Sequence, residues 1–261
     1  MKTLIKKELR LSRRILCIWM AIMFMLCGFC WFESLSLKSS LSEMSEMLDQ
    51  FPRLLLIMFG IKADLSTAIG WYSCLYFWTE ILAVAYGISL GISCISKEKK
   101  QGTAEYLFTK PVSRELIVLS KVAAAVINLA VFSVFTGLCN YFMLVLPMGG
   151  LEQKGAMLTT TIGLFLTQVL FLALGLLFSS LFSSYKTGVR ISTAAALAAY
   201  AIAFAAEYTG IHFLDYLTPL RYYDVYEVIL HGFSASYVIL TLFLAGSCVA
   251  ITLNRWKWRE L

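Results

Sequence analysis

The chain has 261 residues, of which 59% are hydrophobic and only 15% are charged, and its mean hydropathy is +0.76. Soluble domains usually carry about 25% charged residues, whereas here the apolar residues gather in runs of roughly 18 or more, long enough to cross a bilayer. This composition excludes a soluble catalytic domain. It predicts an all-α integral membrane protein with six transmembrane helices, which forms one domain over residues 1–261.

The formal charge of +6 does not indicate nucleic-acid binding, because the basic residues lie at the ends of the apolar runs. Residues 1–14 are predicted to form an amphipathic interfacial helix, with Leu4, Ile5 and Leu9 on one side and basic residues on the other. A plain basic tail is the alternative. The six spans are predicted at residues 15–32, 71–95, 122–147, 156–182, 191–206 and 233–254.

An even number of spans places both termini on the same side of the membrane. If that side is the cytoplasm, 17 of the 22 Lys and Arg residues lie inside, as the positive-inside rule requires. The apolar run 54–59 is too short to span and is expected to rest on the outer surface. We therefore predict a multi-pass protein of a bacterial plasma membrane, which contacts the lipid bilayer and has both termini in the cytoplasm.

The sequence contains no HExxH, GxSG or GxxxxGK[ST] motif, and both of its histidines lie in the outer region 207–232. The predicted spans show no convergent His or Cys ligands for a metal ion. We predict no catalytic residue, no metal site and no cofactor bound by this chain.

Glu80 is the single charged residue well inside a predicted span. An ionisable group is costly there, so Glu80 is a candidate pathway or gating residue, with a purely structural role as the alternative. In the same span, Gly87 and Gly91 form a small-xxx-small pair that lets another helix approach closely. The alanine-rich fifth span is predicted to pack either within the bundle or against a second chain.

The loop at residues 96–116 has more internal order than a simple connection needs. A charged stretch comes first, Gly102 and Thr103 can start a short helix, and Pro111 ends it. A helix this short requires a surface, which is either the membrane or a partner protein. The predicted partner-binding residues are Glu98, Gln101, Gly102, Thr103, Glu105, Tyr106, Leu107, Phe108, Pro111 and Arg114.

Residues 98–107, followed by 110–114 and Lys121, resemble the corresponding loop of permease subunits of type-2 ABC transporters, which share their fold with the G-subfamily exporters. The string Pro-Leu-Arg-Tyr-Tyr-Asp at 219–224 and the basic tail add to the resemblance. One departure is Lys100, where the family often has a second acidic residue, so the charge pairing with a partner is expected to differ in detail.

The resemblance implies a complex of two permease chains, identical or homologous, with two ABC-type ATPase subunits that bind ATP and Mg. The loop at 96–116 would then carry the coupling helix. We expect export of a hydrophobic or amphipathic compound, such as a peptide, an antibiotic or a lipid, because so apolar a bundle offers few charged partners. Two alternatives stay open: a non-transporting six-span sensor or scaffold, and an ion-coupled carrier that uses Glu80.

Overall fold

The computed structural model describes residues 1–37, 47–48, 50–101, 114–151, 155–182 and 184–257, with the backbone alone at 95–101, 114, 256 and 257. In this part of the chain all regular structure is helical and no strand occurs. In chain order the helices are α1 (Lys2–Leu37), α2 (Arg53–Met58), α3 (Ala68–Gln101), α4 (Arg114–Cys139), α5 (Ala156–Leu181), α6 (Tyr185–Thr209), α7 (His212–Asp215), α8 (Val225–His231) and α9 (Ala235–Lys257).

Six of these helices, α1, α3, α4, α5, α6 and α9, are long and apolar enough to cross a membrane. This confirms the predicted all-α membrane fold. Successive spans run in opposite directions, so the bundle has two distinct ends. We call the end with Lys2, Gln101, Arg114 and Lys257 the terminal face, and the end with the loops 53–67 and 210–234 the loop face.

Several helices are longer than the predicted spans, and two of them, α1 and α3, extend into segments that were predicted as other elements. α1 is one continuous helix of 36 residues, so segment 1–14 runs directly into the first span and differs from the predicted separate interfacial helix. The reason is that no glycine or proline precedes Gly28 to break the helix. Likewise, α3 continues through residues 96–101, although the sequence predicted that this charged stretch begins the loop after the span.

The centre of the bundle depends on direct backbone contact between α3 and α5. A Cβ atom added at Gly91 would lie 2.1 Å from the backbone oxygen of Leu172, and one added at Gly87 would lie 2.9 Å from that of Gln168. No side chain larger than hydrogen fits at Gly91 without moving a helix. The predicted small-xxx-small pair is therefore a helix-packing site, as is typical of membrane bundles.

Polar side chains join the three central spans. Ser133 on α4 donates a hydrogen bond to Gln168 Oε1 on α5 over 2.6 Å, and Gln168 Nε2 donates to the backbone oxygen of Ala83 on α3 over 3.3 Å. Nearer the loop face, Tyr72 Oη lies 3.2 Å from Thr160 Oγ1. These contacts satisfy polar groups away from water and fix the rotation of the helices relative to each other.

The end of α4 at the loop face changes its helical form. The chain continues as a π-helical turn over Asn140–Val145 and a 3-10 turn over Leu146–Met148. Asn140 is buried there and accepts a weak hydrogen bond from Cys27 Sγ on α1 at 3.6 Å. Hydrophobic patterning did not predict this turn, because the apolar run continues through it without a break.

Candidate functional site

The predicted docking residues can be placed only in part. Residues 102–113 lie outside the described part of the chain, and so do the side chains of Glu98, Gln101 and Arg114. The partner-binding role of Glu98, Gln101, Gly102, Thr103, Glu105, Tyr106, Leu107, Phe108, Pro111 and Arg114 therefore stays a prediction.

The helices on either side of this loop are held together close to it. Lys121 on α4 donates a hydrogen bond from Nζ to the backbone oxygen of Cys94 on α3 over 3.1 Å. Cys94 lies two residues before the loop at 96–116, and Lys121 lies five residues after it. Lys121 is only 7% exposed, so this contact is shielded from water and joins α3 and α4 where they enter the terminal face.

At the loop face, five charged side chains meet from three separate stretches of the chain. We call this group the ionic cluster, and its members are Lys62, Glu207, Asp215, Arg221 and Asp224. Lys62 Nζ lies 3.3 Å from Glu207 Oε2 and also pairs with Asp224. Arg221 Nε lies 2.9 Å from Asp215 Oδ1, and Arg221 also pairs with Glu207. The cluster thus ties the loop before α3 to the end of α6 and to the segment before α8.

Asp224 is the centre of the ionic cluster. Its Oδ2 accepts from Lys62 and lies 3.3 Å from Arg221 Nη1, while its Oδ1 accepts from the backbone N–H of Tyr226 at 3.1 Å and so caps α8. Burial alone raises the pKa of Asp224, but Lys62 and Arg221 outweigh it and lower that pKa below its usual value. Burial lowers the pKa of Lys62, but the carboxylates of Asp224 and Glu207 outweigh it and raise that pKa. Both groups are therefore charged at neutral pH.

A cavity lies beneath the ionic cluster, between α3, α6 and the two loops. Its volume is about 60 Å³, and the free space rises to about 560 Å³ only when the open region toward solvent is counted as well. Lys62, Glu207 and Asp224 border it above, and Glu80 borders it below. Glu80 lies twelve residues into α3, or about 18 Å along the helix from Ala68, so the cavity reaches well into the predicted membrane region.

Two residues that line this cavity, Ser73 on α3 and Tyr200 on α6, have an enclosed hydroxyl group. Neither hydroxyl has a hydrogen-bond partner in the described part of the chain. Ser73 is only 2% exposed. Buried hydroxyl groups are normally paired, because an unpaired one costs about 1–3 kcal/mol, so two unpaired ones beside one cavity are unusual.

The sequence predicted Glu80 as a candidate but not the ionic cluster around the mouth of the cavity. In the sequence, the string at 219–224, which contains Arg221 and Asp224, contributed only to the family resemblance. A usable signal was the presence of both charge signs in two outer loops of a chain with only 15% charged residues. That signal does not specify which charges pair.

The fold defines a multi-pass membrane protein. A sequence model described as "ABC-2 family transporter protein" matches residues 2–252, and the chain belongs to this family. It is accordingly an ABC transporter permease, a membrane transport component that implies an ABC ATPase as its partner. No curated protein matches the chain.

Proposed function

We propose that this permease exports a hydrophobic or amphipathic compound, driven by a separate ATPase that docks on the loop at 96–116. The observation that carries the proposal is the course of α3. This helix runs unbroken for 34 residues, and Glu80 in the cavity wall lies about 30 Å along it from the end at the docking loop. A force applied to the loop would reach the cavity through one rigid element, without any catalytic residue in this chain.

The contacts of α3 support such a transmission. Lys121 holds α4 to α3 near the docking loop, so the two helices that flank the loop move together. Gly87 and Gly91 bring α3 into backbone contact with α5, so a displacement of α3 is passed to α5 with little side-chain adjustment. Packed interfaces of this kind tend to switch between discrete arrangements rather than deform gradually.

The charge distribution supports an orientation with the terminal face in the cytoplasm. The Lys and Arg residues concentrate at that end of the bundle, as the positive-inside rule requires of a bacterial plasma-membrane protein. The docking loop would then meet a cytoplasmic ATPase, which would bind ATP and Mg. The ionic cluster and the cavity mouth would face outward, where an exported compound leaves.

A second permease chain is also part of the proposal, giving two permease chains and two ATPase subunits. α6 buries Ser192, Ala199 and Ala206 against the bundle but leaves another side exposed. The exposed side carries mostly small residues: Thr193, Ala194, Leu197, Ala198, Ala201 and Ala205. Small residues let helices of neighbouring chains approach closely, which favours this side as the contact with a second copy or a homologous chain.

The experiment that tests the proposal is purification of the tagged chain from its own cells in a mild detergent. An ATPase with a phosphate-binding loop should copurify, and Glu105→Lys or Gly102→Pro should reduce its coupled activity without preventing membrane insertion. Glu227→Lys, a matched charge reversal at the exposed loop face, should leave coupling unchanged. If no ATPase copurifies and Glu80→Gln abolishes transport, the chain is an ion-coupled carrier instead.

A further inference from the structure

We propose that the cavity beneath the ionic cluster binds an organic ammonium group, with Glu80 as its counter-charge. The ligand would be an amphipathic amine whose apolar part lies against the aromatic wall of the cavity. This names a class of cargo and therefore rests on the proposed transport function. The binding test below uses no ATPase, so the two proposals can fail separately.

The charges around the cavity favour a cationic ligand. Lys62 and Arg221 are already engaged by the carboxylates of Glu207, Asp215 and Asp224 in the ionic cluster. Within the described residues, no salt bridge or hydrogen bond joins the side chain of Glu80 to a protein group. An ionised carboxylate at this depth is costly unless a cation accompanies it, so a ligand cation would supply the missing partner.

The unpaired hydroxyl groups also suit an ammonium ligand. Ser73 and Tyr200 line the same cavity as Glu80, and a hydroxyl oxygen can accept a hydrogen bond. An ammonium group has up to three donors and no acceptor. A carboxylate with two hydroxyl oxygens therefore matches its needs, whereas a carboxylate or phosphate ligand would be repelled by Glu80.

The cavity also has an apolar wall. Phe77 on α3 and Phe204 on α6 both border the cavity, and their ring centroids lie 6.1 Å apart in an edge-to-face arrangement. Aromatic rings attract cations through their faces and also cover alkyl chains. Together with Ile57 and Leu220, they make the cavity suitable for an amine with a short apolar chain rather than for a hydrated metal ion.

The ammonium group could come from a soluble amine or from the headgroup of phosphatidylethanolamine. The probe is octylammonium, titrated by calorimetry into the purified chain in phosphatidylglycerol nanodiscs. Octanol is the uncharged comparison. We expect saturable binding of octylammonium that is about tenfold or more tighter than that of octanol, because the charged pair is lost with the alcohol. Titrations into empty nanodiscs of the same lipid are subtracted, because phosphatidylglycerol itself binds the ammonium group. A second titration, corrected in the same way and with phosphatidylethanolamine replacing half of the lipid, distinguishes the sources: weaker octylammonium binding by the chain identifies the lipid headgroup, and unchanged binding identifies the soluble amine.

Amino-acid substitutions test whether octylammonium binds in this cavity. Glu80→Gln should weaken octylammonium binding about 10- to 100-fold, while Glu227→Gln, which removes an exposed carboxylate outside the cavity, should not change it. Tyr200→Phe removes only an unpaired hydroxyl, so it should fold normally and still weaken binding severalfold. The proposal is overturned if octanol binds as tightly as octylammonium, if neither binds, or if folded Glu80→Gln and Tyr200→Phe proteins both bind octylammonium as the unmodified chain does.

Discussion

Lys121 and Cys94 join the two helices that flank the proposed docking loop, through a hydrogen bond of 3.1 Å from the Lys121 ammonium to the Cys94 backbone oxygen. The contact is nearly enclosed, because Lys121 is 7% exposed. It therefore ties α3 and α4 together at the place where a docked ATPase would apply force.

The first prediction concerns the hydrogen bond between Lys121 and Cys94. Lys121→Met keeps the apolar length of the side chain but has no donor, so α3 and α4 can separate at the terminal face. We expect transport-coupled ATPase activity to fall severalfold while the complex still assembles. Lys186→Met makes the same charge change at an exposed position of the terminal face and should have little effect. Equal coupling in the two variants would contradict the role given to Lys121.

The second prediction concerns the backbone contact between α3 and α5. Gly91→Ala forces a Cβ atom to within 2.1 Å of the Leu172 backbone oxygen, so one helix must move. We expect a loss of about 2 kcal/mol or more in unfolding free energy, as for other overpacked sites. The measurement is thermal or denaturant unfolding in detergent. Gly246→Ala on α9 is the matched control, since an added Cβ atom there meets nothing within 4 Å, and it should not destabilise.

The third prediction separates the two roles of Asp224. Asp224→Ala leaves Lys62 and Arg221 without their shared carboxylate and removes the cap of α8, so we expect a loss of about 3 kcal/mol. Asp224→Asn retains an oxygen that can cap the helix and should cost about 1 kcal/mol less. Chemical unfolding of both variants checks this difference. Identical losses would mean that the cap contributes nothing measurable.

The fourth prediction concerns pH. The pKa of Asp224 is lowered, so its contribution to stability is complete above its ordinary value of 3.8 and is lost as pH falls through the lowered pKa. The pKa of Lys62 is raised, so its contribution is complete below 10.5 and is lost as pH rises through the raised pKa.

The part of the stability that comes from these two groups should therefore be constant between about pH 4 and pH 10. Unfolding midpoints measured across this range test the plateau. The loss of stability at low pH that Asp224 causes is measured by comparison with Asp224→Asn, because the variant has no carboxyl group to titrate at that position. If the variant loses stability at low pH as the unmodified chain does, other carboxylates cause that loss.

Much of the architecture followed from local patterns. Apolar runs predicted the six spans, and the spacing of Gly87 and Gly91 predicted a close helix contact that α5 makes. Helix boundaries were less predictable. The segment 1–14 differs from the first span in polarity, yet α1 passes through it unbroken, because a change in polarity does not end a helix that lacks glycine or proline.

The candidate site was predictable only as isolated parts. Glu80 stands out in any reading of the sequence, since a charge inside a span is rare. The residues around Glu80 do not stand out in the sequence, because Lys62 and Asp224 are 162 positions apart and Tyr200 comes from a different span. Their meeting depends on the rotation and depth of whole helices.

By itself, the sequence determined that the chain crosses a membrane six times, because a bilayer demands long apolar helices and places basic residues selectively. It also contained the string that resembles a coupling loop. Only the tertiary structure decided which charges meet at the loop face, and that Glu80, Ser73 and Tyr200 border one cavity. The physical reason is that side-chain pairing between distant helices depends on packing geometry, which no local pattern in the sequence contains.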